Sequence, residues 1–197
     1  MTALPLLFTD RTARWVSLAV WLVWLGAEAL SLRPSSGGDR VQDRGTKLFL
    51  AVWLTIGIAG AVAVARYAPQ FGLPGNPWLT FSIGVAVAFA GIALRQWAIA
   101  ILGRLFTRDV MIREGHHVVV RGPYRLIRHP AYAGTMITML GYGMMLQNWL
   151  SIAITFVGFV VSHLPRILHE EHVLERNLGD PYRDFEQGRK RLVPRVW

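Results

Sequence analysis

The chain has 197 residues, of which 53% are hydrophobic and 17% charged, and its mean hydropathy is +0.35. Cysteine is absent, which excludes disulfides, thiolate nucleophiles and cysteine-ligated zinc. The net charge is +9, but it accompanies long apolar runs, so the basic excess is read as facing a membrane surface and not nucleic acid.

The first apolar run, Trp15 to Leu32, is just long enough to span a bilayer. Ala27-Glu28-Ala29 faintly resembles a signal-peptidase site, but the run is read as an uncleaved helix, with Glu28 snorkelling or capping at its end. A second run covers Leu48 to Ala65. The turn-rich segment Pro69 to Pro77 leads into a third, Trp78 to about Leu102, whose Arg95 and Gln96 snorkel or line a pocket. The fourth run, about Ala131 to Leu146, and the fifth, Trp149 to Leu164, are separated by Gln147-Asn148. They predict a helical hairpin turning at the far membrane surface, with Gly141 and Gly143 allowing close packing. Glu170, Glu171, Glu175 and Arg176 recur at helical spacing, so the fifth helix continues beyond the membrane until Gly179-Asp180-Pro181 stops it. A short helix from Tyr182 to about Arg191 follows. The fold class is therefore all-α: a polytopic integral membrane protein of about five transmembrane helices.

Basic residues set the expected orientation. The loop between the first two runs, the loop after the third and the tail after the fifth hold 17 of them, against three (Arg11, Arg14, Arg66) on the other side. The positive-inside rule then places the N-terminus outside and the C-terminus in the cytoplasm of a bacterial-type inner membrane. Gly103–Pro130 and Pro165–Trp197 become the cytoplasmic segments. "RGPYRLIRHPAYAG", Arg121 to Gly134, puts irregular, charged backbone beside lipid, a costly arrangement unless it lines a site.

Two stretches together, "GHHVVVRGPYRLIRHPAYAG" and "HEEHVLERNLGDPYRDFEQGRKRLVP", resemble the isoprenylcysteine carboxyl methyltransferase family, whose wider relatives include membrane phospholipid methyltransferases. The resemblance spans about Leu94 to Pro194. It divides the chain into N-terminal transmembrane helices, 1–93, and a methyltransferase core, 94–197, that forms the cofactor pocket. It implies S-adenosylmethionine (S-adenosyl-L-methionine) as methyl donor and a lipophilic acceptor that reaches the site from the bilayer. Carried over by position, His116, His117, Val118 and Val119 contact the cofactor, as do Tyr124, His129, Pro130, Ala131, Tyr132 and Glu170. For His117 a surface role is favoured on the residues alone. Arg166 falls where the family has an arginine beside the substrate carboxylate, and Arg128 and His129 complete the catalytic candidates. Asp109 stands where some relatives have a glutamine. The resemblance requires no metal, so His163, His169 and His172 are read as helix residues and not as ligands.

The physical reading is independent of the resemblance. Methyl transfer from a sulfonium to a carboxylate brings opposite charges together, so a dry pocket favours it. A carboxylate needs no general base at neutral pH; it needs alignment, which a bidentate arginine supplies. Glu170 suits ribose hydroxyls or an ammonium, and the faces of Tyr124 and Tyr132 suit a sulfonium or adenine. Arg121 and Arg125 are equally well read as inside-positive surface charge. The rival readings are a phospholipid-amine or small-thiol methyltransferase, with His129 or Glu171 as base, a sterol-reductase-like NADPH oxidoreductase, and a non-catalytic scaffold.

Overall fold

The computed structural model describes residues 4–31, 40–41, 46–106, 111–112 and 115–197; Asp109 and Arg113 lie outside them. The chain opens with a single turn, α1 (Leu6–Thr9), followed by α2 (Arg11–Leu30), whose first turn is capped by Asp10 accepting from Ala13 N at 2.8 Å. Then come α3 (Thr46–Tyr67) and α4 (Pro77–Leu102). Asn76 caps α4, and Pro77 occupies the first helical position, where no amide is needed. A two-residue antiparallel pair, Arg40–Val41 with Met111–Ile112, is the one sheet among the described residues.

The hairpin is α5 (Pro130–Met145) and α6 (Trp149–Leu178). Gln147 takes a left-handed conformation at φ 53, and Asn148 accepts from Leu150 and Ser151 N to start α6. Pro165 removes one amide from α6 without ending it; Gly179, at φ 61, does end it. The last helix is α7 (Asp180–Gln187).

Four helices, α2, α3, α4 and α6, are long and apolar enough to cross a membrane. The fifth, α5, has 16 residues, about 24 Å of helix against a ~30 Å hydrocarbon core. Eleven of the 16 are buried, so α5 is sheathed largely by protein. Its contact with α4 is backbone-close: a Cβ on Gly91 would sit 2.5 Å from Thr138 N, and one on Gly141 would collide with Ala88 N. Gly143 faces α6 instead, against Ile152 and Thr155. Small residues at these positions let the helices approach where lipid offers no hydrophobic drive.

The hairpin tip anchors the far end of the bundle. Gln147 accepts from Leu6 N at 2.7 Å and donates to Pro77 O, while Asn148 Nδ2 donates to Ala68 O at 3.0 Å. Both side chains are buried, so one polar pair joins the starts of α1, α4 and α6 to the end of α3.

Candidate active site

Successive long helices alternate in direction. The C-terminal ends of α2 and α4 therefore meet the N-terminal ends of α3 and α5 and the later turns of α6 at one end of the bundle, around a cavity of about 440 Å³. Small-molecule sites are usually of that order. Trp24, Leu25, Leu50, Ala51 and Leu54, from α2 and α3, give it an apolar wall. The 115–130 segment, α5 and α6 bring most of its charged and hydrogen-bonding side chains, among them Arg128, His129, Tyr132, Arg166 and Glu170.

Tyr132, in the first turn of α5, ties two charges of α6 together. Its hydroxyl donates to Glu170 Oε2 at 2.7 Å and accepts from Arg166 Nε at 3.1 Å. Arg166 and Glu170 lie one turn apart on the same helix face. With Arg166 only 6% exposed and Nε anchored, its planar fork is held at the cavity wall. His163, a turn earlier, is also buried at the wall; its ring stacks on Phe159 at 4.4 Å and meets Tyr132 edge-on at 5.8 Å.

The irregular loop is fastened to the tail. Arg128 N and His129 N donate to Lys190 O and Arg191 O at 2.9 and 3.0 Å. Glu171 makes the side-chain counterpart: Arg128 Nη1 donates to it at 3.0 Å and Arg191 Nη2 at 2.8 Å, and His129 Nε2 lies 3.1 Å away. Arg128 also donates to Glu186 at 3.2 Å and to Arg189 O at 2.8 Å. The carboxylate of Glu171 is nearly buried, and these partners offset its desolvation. At the opposite side Arg95 pairs with Glu28 of α2 through both carboxylate oxygens and donates from Nη1 to Ala131 O at 3.2 Å.

The turn Gly122–Arg125 points Tyr124 inward and leaves Arg121 and Arg125 exposed. Burial pushes the Tyr124 phenol far above its ordinary range, and the charge of Glu170 adds to this. Tyr182, in α7, is raised likewise by burial and then by Glu171 and Glu170. Both phenols stay neutral donors at physiological pH.

The family model for the isoprenylcysteine carboxyl methyltransferase (ICMT) family matches residues 83–176. Protein-S-isoprenylcysteine O-methyltransferase B of Arabidopsis thaliana is 34% identical over 71% of this chain and 73% of its own length. The chain belongs to the ICMT family. A probable protein-S-isoprenylcysteine O-methyltransferase of Oryza sativa subsp. indica is 33% identical over 56% of this chain and 59% of its own. The solved structure of the eukaryotic intramembrane Ras methyltransferase ICMT superposes with a TM-score of 0.67, covering 97% of this chain and 70% of that one. At 21% identity that likeness shows the common membrane fold alone.

This ICMT-family chain is thus a membrane methyltransferase, and its cavity gathers most of the residues singled out in the sequence. His116, His117, Val118 and Val119 border the cavity, as do Tyr124, Arg128 and His129. So do Ala131, Tyr132, Arg166 and Glu170. Pro130 is buried as the first residue of α5 and does not line the cavity. His117 is exposed at its rim, with Nδ1 3.0 Å from Gly115 O. Among the described residues no three His, Asp or Glu side chains converge as a metal site. The sequence reading drew the pocket from the C-terminal half and missed the wall from α2 and α3, which carries no motif.

The residues present fit a polar nucleotide-like cofactor. Glu170 supplies a fixed acceptor. The indole N–H of Trp24 and the hydroxyl of Tyr182, both on wall residues, are buried without a hydrogen-bond partner among the described residues. Such orphans call for a ligand or water to satisfy them.

Proposed function

We propose that the chain transfers a methyl group from S-adenosylmethionine to the carboxylate of an isoprenylcysteine-like lipid acceptor. The observation that carries this reading is Arg166: a buried guanidinium, braced by Tyr132, on the wall of a cavity that α2 and α3 line with apolar side chains. The names and identities of the relatives support it. When bound, the cofactor supplies an electrophilic methyl on a sulfonium.

The chain's own residues do the rest. Arg166 aligns the acceptor carboxylate through two parallel hydrogen bonds. Tyr132 fixes the spacing between that arginine and Glu170, which accepts from the cofactor's hydroxyls or ammonium. Tyr124, His129, Ala131 and the segment His116–Val119 shape the remainder of the cofactor's bed. Leu25, Leu50 and Leu54 take the lipid tail and keep water from the reacting groups. A carboxylate nucleophile needs no base. Glu171, shared among two arginines and His129, accordingly acts as a brace for the loop.

The N-terminus lies outside and the C-terminus in the cytoplasm, so the cavity end receives cofactor from the cytosol and acceptor from the bilayer. The reading is tested with purified protein, methyl-labelled S-adenosylmethionine and N-acetyl-S-farnesyl-L-cysteine. Label should pass to the lipid. Absence of transfer by folded protein that binds S-adenosylhomocysteine would remove this acceptor class.

A further inference from the structure

Arg121 and Arg125 have no part in the site described above, yet they bracket the turn that carries Tyr124. Tyr124 N donates to Arg121 O and Leu126 N to Pro123 O, each at 3.1 Å, which makes the turn tight. Tyr124 is buried and lines the cavity, while Arg121, Arg125 and Leu126 are exposed on the outside of the molecule. Exposed arginines in a loop are ordinarily just solvated charge, but two observations set these apart. The first is where the turn lies. A Cβ on Gly122 would sit 3.1 Å from Ile101 Cγ1 and 3.5 Å from Trp97 Cε2, so the turn rests on the last two turns of the membrane-crossing α4. Beside the arginines are apolar side chains open to the outside: Leu126 is 66% exposed and Trp97 53%. Tryptophan at the end of a spanning helix marks the level of the lipid headgroups. The second observation is the charge. Neither Arg121 nor Arg125 has an acidic partner among the described residues. Exposed Lys190, which pairs through its backbone with Ile127, adds a third cation nearby.

We propose that this outer face of the Gly122–Arg125 turn is a binding surface for an anionic phospholipid. The guanidinium groups of Arg121 and Arg125 hold the lipid phosphate, and the acyl chains lie along Trp97 and Leu126. Charge complementarity selects the headgroup: a zwitterionic lipid brings its own cation to the same phosphate and gains nothing from unneutralised arginines. The apolar flank selects a lipid over free phosphate, which has nothing to place there. The surface also has a consequence for the interior. One face of the turn holds lipid and the other presents Tyr124 to the cavity, so a lipid that fixes the turn from outside orders the cavity wall within. Ligand affinity in the cavity then depends on the lipid around the protein, because a wall already ordered costs less to bind against.

The experiment titrates the full chain in neutral detergent with phosphatidylglycerol or phosphatidylcholine and counts the lipid retained by native mass spectrometry. Wild type should retain phosphatidylglycerol in preference. The double variant Arg121→Gln/Arg125→Gln should bind it about 25-fold more weakly, at about fivefold per arginine beside an anionic lipid. Arg176→Gln removes an exposed charge from the end of α6 and should leave retention within about twofold. Millimolar glycerol phosphate should not displace the lipid. Equal retention of the two lipids by wild type overturns the proposal, as does undiminished retention by the folded double variant. An equal loss in Arg176→Gln would reduce the effect to net charge, and displacement by glycerol phosphate would make the surface a free-phosphate site; either result also overturns it. The inward consequence is read by calorimetry with S-adenosylhomocysteine in nanodiscs. Wild type should bind severalfold more tightly in discs containing phosphatidylglycerol than in pure phosphatidylcholine, and the double variant equally in both. Equal wild-type affinity in the two discs overturns the coupling. If wild type binds no S-adenosylhomocysteine in either disc, the cofactor reading has failed, and lipid retention still decides this proposal by itself.

Discussion

Arg166→Lys separates acceptor alignment from cofactor binding. The substitution keeps the charge but removes the planar fork and the Nε donor that reaches Tyr132 at 3.1 Å. Tyr132 still donates to Glu170 at 2.7 Å, so the cofactor side keeps its main brace. The acceptor side exchanges a bidentate charge-assisted pair for a single point contact, a loss of about 1.5–3 kcal/mol. At ~1.4 kcal/mol per decade, kcat/KM should fall by about one to two orders of magnitude. The assay pairs methyl transfer from labelled cofactor with calorimetry using S-adenosylhomocysteine, whose affinity should change less than about threefold, under 0.7 kcal/mol. If Arg166 only snorkels toward lipid phosphate, lysine serves as well. Near-normal turnover by the folded variant would therefore refute the clamp. A joint collapse of turnover and cofactor affinity would place Arg166 in the cofactor's bed and leave the acceptor without its proposed anchor.

Glu170→Ala should weaken S-adenosylhomocysteine binding by about 10- to 100-fold, the worth of a charge-assisted hydrogen bond, as calorimetry would read; unchanged affinity removes Glu170 from the site. Glu171→Ala leaves Arg128 and Arg191 without their shared carboxylate, and thermal unfolding in detergent should show a loss of about 3 kcal/mol. Gly91→Ala places a methyl 2.5 Å from Thr138 N, so α4 and α5 must separate, at about 1–3 kcal/mol in the same measurement. The chain has no cysteine, so single cysteines introduced at Pro74 and Val196, both exposed, report topology with an impermeant maleimide on intact cells. Position 74 should label and position 196 should not; the reverse pattern inverts the orientation.

Much of the fold was legible because local chemistry fixes it. Asn148 before an apolar run starts a helix, Gly179 ends one, and the spacing of Glu170, Glu171 and Glu175 carries α6 past Pro165. The loop and tail motifs named the polar wall for a similar reason: prolines and aromatics in a charged stretch are costly beside lipid. Other features have no local signature. Glu28 and Arg95 pair across 67 residues and look, one at a time, like snorkelling charges. Trp24, Leu50 and Leu54 are indistinguishable in sequence from lipid-facing positions, and only the packing of α2 and α3 over the site turns them into its apolar wall. Arg128 reads as a catalytic arginine, but its partners Glu171, Glu186 and Arg189 O come from the tail, at separations no pattern encodes. The shortness of α5 follows from burial, since a helix enclosed by neighbours need not match the hydrocarbon thickness.

What defines the reaction is the acceptor atom that the methyl group joins. The most direct measurement is the base stability of the labelled product formed from S-adenosylmethionine and N-acetyl-S-farnesyl-L-cysteine. A carboxyl methyl ester should release its label as volatile methanol in mild alkali and regenerate the free acid, identified by mass spectrometry. A label that stays on the lipid through alkali would mean methylation at nitrogen or sulfur and would contradict the assignment of Arg166 to an acceptor carboxylate.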